Sequence, residues 1–216
     1  MVKKKQKIFI LANGEKMKPA LLKNLARGRK ILAVDGAAKQ AKRLGWKIDF
    51  VAGDFDSLNP NFLQSLKRKG TRIVPLPDQN FTDLEKTVEW CIQEGFRDIR
   101  IAQALGKRMD HSLTNLALLK RFYRKGIHLE IHTNFERIEF LENSKIVSLG
   151  AIGRTIGVIP SPEASVTSRG LNWEMKNSLL HWGKSQSVSN FAKSRKIELK
   201  VKGSVIFVEG SSNQHE

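Results

Sequence analysis

Four short segments of this 216-residue chain gather side chains suited to phosphate chemistry. They are Val34-Asp35-Gly36, Gly53-Asp54-Phe55-Asp56-Ser57, Pro77-Asp78-Gln79-Asn80-Phe81-Thr82-Asp83 and Gly106-Lys107-Arg108-Met109-Asp110-His111. Each delivers at least one aspartate. Carboxylates that converge repel one another unless a cation neutralises them, and hard oxygen donors without cysteine favour magnesium over zinc. Magnesium keeps waters and bridges to substrate phosphates, so the implied ligand is a nucleoside triphosphate. In an extended segment residues i and i+2 project to one side, so Asp54 and Asp56 can address the same ion, while Gly53 lets the backbone come close. Asp83, at the start of a helical pattern, would complete the cluster, and the amide donors of that helix terminus suit phosphate oxygens. Arg108, in a loop after a glycine, suits a phosphate clamp and leaves Asp110 for metal or nucleotide hydroxyls. Lys86, one turn from Asp83, could add a second positive charge, and His111 could act as an acid or base.

Spacing alone does not carry this reading, because a chain with 21 acids in 216 residues holds acid-x-acid pairs by chance. Placement carries it. The first part of the chain alternates short β-branched runs (8–12, 30–34, 48–52, 71–74, 99–102, 128–132) with amphipathic helical patterns (17–26, 37–44, 62–69, 83–94, 112–125). That alternation implies βαβ units and a mostly parallel sheet covered by helices on both faces. In such sheets ligands collect beyond the carboxyl ends of the strands, which is where the aspartates fall. Thr82 and Glu85 stand in capping-box spacing before Leu84, Val88, Cys91 and Ile92, and Asp110 or Ser112 can cap the following helix. After about residue 135 the pattern becomes short strand-like runs (137–141, 145–149, 155–159, 165–167, 196–201, 205–209) separated by turn residues. The expectation is an α/β domain over 1–134 followed by a small antiparallel β-sandwich or barrel over 135–216.

Composition narrows the alternatives. The single cysteine, Cys91, excludes an intramolecular disulfide and any cysteine-based zinc cluster. Lysines 3, 4, 5 and 7 precede only five apolar residues, too few for a signal-peptide core of at least about seven. No run approaches membrane-spanning length, and the expected compartment is the cytoplasm. Lysine and arginine outnumber aspartate and glutamate by 38 to 21, a formal charge of +17 that attracts polyanions of any kind. The basic residues are spread along the chain without a nucleic-acid motif, so nucleic acid is not the expected partner. Neither a Walker loop nor a Gly-x-Gly-x-x-Gly turn is present, so phosphate binding falls to carboxylate-held metal and basic side chains.

The run Val34-Asp35-Gly36-Ala37-Ala38, the three later acidic segments, Asn115, and further on Gly170-Leu171-Asn172-Trp173 and Ser187-Val188-Ser189-Asn190 together resemble the thiamine pyrophosphokinase family in order and spacing. The resemblance implies an amino-terminal α/β domain, a carboxyl-terminal β-sandwich, and a homodimer with thiamine near the subunit interface. It implies attack of the hydroxyethyl oxygen of thiamine on the β-phosphorus of ATP, with AMP leaving. Asp54, Asp56 and Asp83, with Asp110, would hold Mg2+; Asp35, Arg108, Asp110, His111 and Lys86 would contact ATP or organise its phosphates; Gln79, Ser187, Ser189 and Asn190 would lie at or near thiamine. Asp83 or Asp35 would take the proton of the attacking alcohol. Two departures stand out: Lys107 occupies the second of two glycines usual before the arginine, and Ala37 stands where a glycine is typical. Trp182 and Phe191 are candidates for stacking on thiamine. A pyrophosphokinase for another hydroxyalkyl heterocycle, such as a hydroxymethylpterin, stays open because the ATP-side motifs do not read the acceptor. A catalytically silent nucleic-acid-binding relative is the rival of another class.

Overall fold

The structure, a computed structural model, describes residues 6–123 and 126–210 and divides into two compact units, Met1–Asn134 and Phe135–Glu216.

In the first unit β1 (Gln6–Leu11), β2 (Lys30–Val34), β3 (Phe50–Gly53), β4 (Arg72–Pro75), β5 (Phe96–Ala102) and β6 (His128–His132) are interleaved with helices. The helices are α1 (Pro19–Ala26), α2 (Ala37–Arg43), α3 (Pro60–Arg68), α4 (Asp83–Gln93) and α5 (Met109–Tyr123). All strand pairs are parallel, in the order β6-β5-β1-β2-β3-β4. Ile8 to Leu11 are fully buried, the unbroken apolar run of a central strand covered on both faces. Prolines open α1 and α3, where a missing N–H costs nothing. Asn59 caps α3 by accepting from Asn61 N at 2.8 Å, and Thr82 caps α4 by accepting from Glu85 N at 3.2 Å. Ala37, Ala38 and Ala41 are buried together, and their small side chains let α2 lie close against Phe9, Ala33 and Val51. The chain runs outward from β1 to β4, then returns to the other side of β1 for β5 and β6. The order therefore reverses at β1, and the crevice beyond its carboxyl end is the topological switch point.

The second unit consists of β7 (Glu136–Glu142), β8 (Lys145–Leu149), β9 (Thr155–Arg169), β10 (Ser178–His181), β11 (Ser187–Phe191) and β12 (Lys196–Gly210). Every pair within it is antiparallel: β12 pairs with β7, β8 and β9, and β9 also with β10 and β11. Buried positions alternate along β9 and β12, and Ile156, Val158, Val166, Ile197, Leu199 and Phe207 fill the core. Burial works against a charge on Glu209, yet hydrogen bonds from Ser148, Arg154 and Arg137 outweigh it and hold the carboxyl below its ordinary value.

The two-part architecture read from the sequence, a parallel α/β unit followed by antiparallel strands, is the one observed. Details differ. The expected runs 155–159 and 165–167 are one 15-residue strand, as are 196–201 and 205–209. A register shift at Gly203 (φ 89°) carries β12 through its bend, where a Cβ would lie 2.5 Å from Glu163 O. β10 and β11 were not expected as strands. Helix α5 begins at Met109, three residues before the anticipated start, and the last two residues of that expectation, 124–125, lie outside the described residues. Among the described residues no helix is long and apolar enough to cross a membrane.

Candidate functional site

Parallel register brings the chemistry-bearing residues to one edge. Val34 pairs with Ala52 and Gly53 with Pro75, so Asp35, Asp54 and the loop after β4 leave neighbouring strands about 4.8 Å apart on the same carboxyl side. Asp35 adopts φ 43°, its amide donates to Ala52 O at 2.8 Å, and its Oδ2 accepts from Ser57 Oγ at 2.6 Å. Gly53 (φ 152°) makes this possible, since a Cβ there would stand 3.1 Å from that of Asp35.

Asp54 and Asp56 are not presented by an extended segment. Phe55 between them has φ 67° and Asp56 N donates to Asp54 Oδ1 at 3.2 Å, so the pair is held by a turn. Among the described residues neither carboxylate has a lysine or arginine partner, although the chain carries 38 such residues. A carboxylate pair left without a counter-cation fits a hard divalent ion such as Mg2+, but among the described residues Asp54, Asp56 and Asp83 do not bring their carboxylate oxygens together within 4.8 Å as a set.

Lys86 has a different occupation from the one its sequence position suggested. Its ammonium donates to Leu76 O at 2.8 Å and Asp78 O at 2.7 Å and sits 2.9 Å from Asp83 Oδ1, with the side chain only 7% exposed. It ties the loop after β4 to α4 and orients Asp83. Gln79 is exposed within that loop, where Asp78 Oδ1 accepts from Asn80 N.

The loop after β5 is shaped by two left-handed residues. Gly106 (φ 83°) passes Glu15, whose Cβ would lie 2.8 Å from an added Cβ, and Lys107 follows at φ 60°. Lys107 thus takes a backbone conformation that favours glycine, and its Nζ donates to Asn13 O at 2.7 Å. Arg108 and Asp110 form an exposed two-point pair, Nε–Oδ1 3.1 Å and Nη2–Oδ2 2.5 Å. The Arg108 hydrogen bond, assisted by His111 N, holds the Asp110 carboxyl at about 2. Asp110 is therefore engaged by its neighbour rather than standing apart from it.

At the switch point lies a cavity of about 250 Å³ lined by residues from the ends of β1, β2 and β5 and the starts of α4 and α5. It brings together Asp35, Asp83, Arg108 and His111; Asp54, Asp56, Lys86 and Asp110 are not in its wall. Sequence reasoning passed over Gln103, which also lines it. Gln103 is 2% exposed, adopts φ 59°, and neither side-chain polar atom has a partner. Asp35 Oδ1 and Asn115 Oδ1 are likewise buried and unpartnered, while Asn115 Nδ2 donates to Ala104 O at 2.7 Å. The available signal was position: Gln103 directly follows its strand, as Asp35 follows β2. Buried polar groups normally find partners, so unpartnered ones converging on one cavity mark a place where a ligand supplies them.

Ser187, Ser189 and Asn190 lie on β11 in the second unit. Ser189 has φ 58°, and the pairing with β9 shifts register between Ser187 and Asn190. Asn190 is buried; its Oδ1 accepts from Trp173 N and Phe191 N, and its Nδ2 donates to Trp173 O at 2.8 Å. These bonds hold the Trp173 loop against β11, with the Trp173 and Phe191 rings edge-to-face at 5.2 Å. Trp182 is 62% exposed.

Fold and site together define a doubly wound α/β unit with acidic, cavity-bearing strand ends, joined to an antiparallel β unit. Residues 22–131 match the family profile described as the thiamin pyrophosphokinase catalytic domain, and residues 143–206 that of the thiamin pyrophosphokinase vitamin B1 binding domain. Thiamin pyrophosphokinase 1 of Caenorhabditis elegans is 30% identical over 219 residues, covering 93% of this chain and 87% of that protein. Thiamine pyrophosphokinase 1 of Oryza sativa subsp. japonica is 29% identical, covering 73% of this chain and 64% of its own length. The crystal structure of thiamine pyrophosphokinase from Bacillus subtilis shares the fold with a TM-score of 0.84 at 20% identity, covering 95% of this chain and 99% of that one. The chain belongs to the thiamin pyrophosphokinase family.

Proposed function

We propose that this protein transfers the pyrophosphoryl group of ATP to the hydroxyethyl oxygen of thiamine, giving thiamine diphosphate and AMP. The observation that carries the reading is the pair Asp54 and Asp56, two carboxylates without a basic partner beside a cavity whose buried polar groups await a ligand. Asp54, Asp56 and Asp83 would hold Mg2+, which when bound neutralises phosphate charge and stabilises the charge that builds on the departing AMP. Lys86 keeps Asp83 and the loop after β4 in position. Arg108 faces the phosphates, steadied by Asp110, and His111 lies beside it in the cavity wall. The thiamine oxygen forms its bond to the β-phosphorus as the bond from that phosphorus to the α-bridging oxygen breaks, and AMP departs with the bridging oxygen. The hydroxyl proton passes to one of the two carboxylates in the cavity wall, Asp83 or Asp35.

Gln79, Ser187 and Ser189 contribute to the thiamine site, and Asn190 supports it by fixing the Trp173 loop. The enzyme works as a cytoplasmic homodimer, with the exposed Trp173, Leu179, Trp182 and Val188 of the second unit available to a partner copy. Incubating the protein with ATP and thiamine, with and without magnesium, and following AMP and thiamine diphosphate tests the reaction. A parallel arm with a hydroxymethylpterin tests the acceptor, and sedimentation tests the dimer. Magnesium-dependent AMP release with thiamine alone is the expected result; AMP release only with the pterin overturns the acceptor, and none with either overturns the enzyme.

A further inference from the structure

The unpartnered groups in the switch-point cavity describe what fills it. Asp35 Oδ1, Asn115 Oδ1 and Gln103 Oε1 accept hydrogen bonds, and Gln103 Nε2 donates one. Three acceptors, one on a carboxylate, repel a phosphate group and call for a ligand portion bearing N–H or O–H donors and at least one acceptor. The volume, about 250 Å³, admits a ligand portion the size of a nucleobase. The cations in the cavity wall, Lys107 and Arg108, suit the phosphates, which leaves the neutral polar lining of Gln103 and Asn115 for the base.

We infer that Gln103 is a base-reading residue, its carboxamide pairing with the amine and ring-nitrogen edge of adenine. This rests on the nucleotide-binding reading above and deepens it. Glutamine offers one donor and one acceptor in a plane, matched to the exocyclic amine and neighbouring ring nitrogen of adenine. On the edge that carries N7, guanine presents a carbonyl and a ring nitrogen, two acceptors, and sets one of them against Gln103 Oε1. The side chain is held ready by a left-handed backbone and by close packing: Gly14 N donates to Gln103 O at 2.7 Å, and a Cβ on Gly14 would lie 2.4 Å from that oxygen. Burying a carboxamide with neither end paired opposes folding, a cost offset when adenine enters.

The test measures equilibrium binding of ATP and of GTP to the full chain, in the presence of magnesium and without thiamine, for the parent, Gln103→Gly and Gln103→Met. Glycine suits φ 59° and removes the amide, while methionine keeps the length without hydrogen bonds. The parent is expected to prefer ATP, and both variants are expected to bind ATP about tenfold or more weakly while GTP changes little, collapsing the preference. The KM for thiamine is expected to hold. An unchanged ATP-to-GTP ratio in both variants overturns the assignment, as does a parent that binds neither nucleotide. A raised thiamine KM with unaltered nucleotide binding also overturns it, since Gln103 would then read the acceptor. If the parent binds ATP yet forms no thiamine diphosphate, the proposed reaction fails, and the binding ratio still decides the role of Gln103.

Discussion

Replacing Lys86 by methionine separates two roles that sequence position cannot distinguish. Methionine keeps most of the apolar stem, which is nearly buried, and removes the ammonium that serves Leu76 O, Asp78 O and Asp83. A hydrogen bond to a charged group contributes about 1.5–3 kcal/mol. The contacts at Asp78 and Asp83 face solvent and are worth much less, so the sum comes to about 3 kcal/mol. For a chain of this size each kcal/mol moves Tm by about 2–4 °C, which predicts a fall of roughly 6–12 °C. Thermal unfolding of parent and variant, followed by circular dichroism, reads the shift, and steady-state assays at varied ATP read the consequence for the site. Asp83 loses its orienting neighbour, so turnover should fall along with stability. If the variant melts within about 2 °C of the parent and only the KM for ATP rises, Lys86 contacts phosphate directly and the loop-tying role is refuted.

Asp54→Asn should lower turnover by roughly two or more decades with little loss of stability; near-normal turnover would remove Asp54 from the metal site. Arg154, whose side chain is 4% exposed, donates to Glu209 at 2.7 Å and to Ala151 O at 2.8 Å. Arg154→Met should therefore cost about 3 kcal/mol in urea unfolding, the low end for a broken buried pair because Arg137 still serves Glu209. The folded pKa of Glu209 is depressed, so its contribution is present above the unfolded value of about 4.3 and is lost as pH falls through the folded value. The difference between Arg154→Met and parent should accordingly shrink on acidification. By NMR the Asp110 carboxyl should titrate near 2 in the parent and move up toward the usual range in Arg108→Ala. Burial pushes the Cys91 thiol up, with Glu94 adding to it, so Cys91 should ignore a thiol reagent until the protein unfolds.

The first unit was largely legible because its signals are local. Apolar runs such as Ile8 to Leu11, the proline at the head of α3 and the Thr82 cap each act within a few residues. The strand-end rule then located Asp35, Asp54, Asp56 and Asp83 on one edge. β10 and β11 escaped because Ser178 to His181 and Ser187 to Phe191 carry little alternation of their own. Their extended form is supplied by β9, a partner far away in sequence. The occupation of Lys86 escaped for a similar reason: two of its acceptors are backbone carbonyls, which no residue type announces. Gln103 follows its strand as Asp35 follows β2, but a neutral carboxamide carries no charge to mark it, and its unpartnered burial exists only in the folded chain.

Asp35, Phe55, Gln103 and Lys107, all beyond strand ends in the first unit, hold a backbone conformation that L-residues seldom take. Each such residue opposes folding by about 1 kcal/mol or more. A laboratory selection for heat resistance alone would therefore drift toward glycine at these four positions and harvest easy gains in melting temperature. Such descendants would be sturdier and slower, because the tension they shed is what aims the side chains.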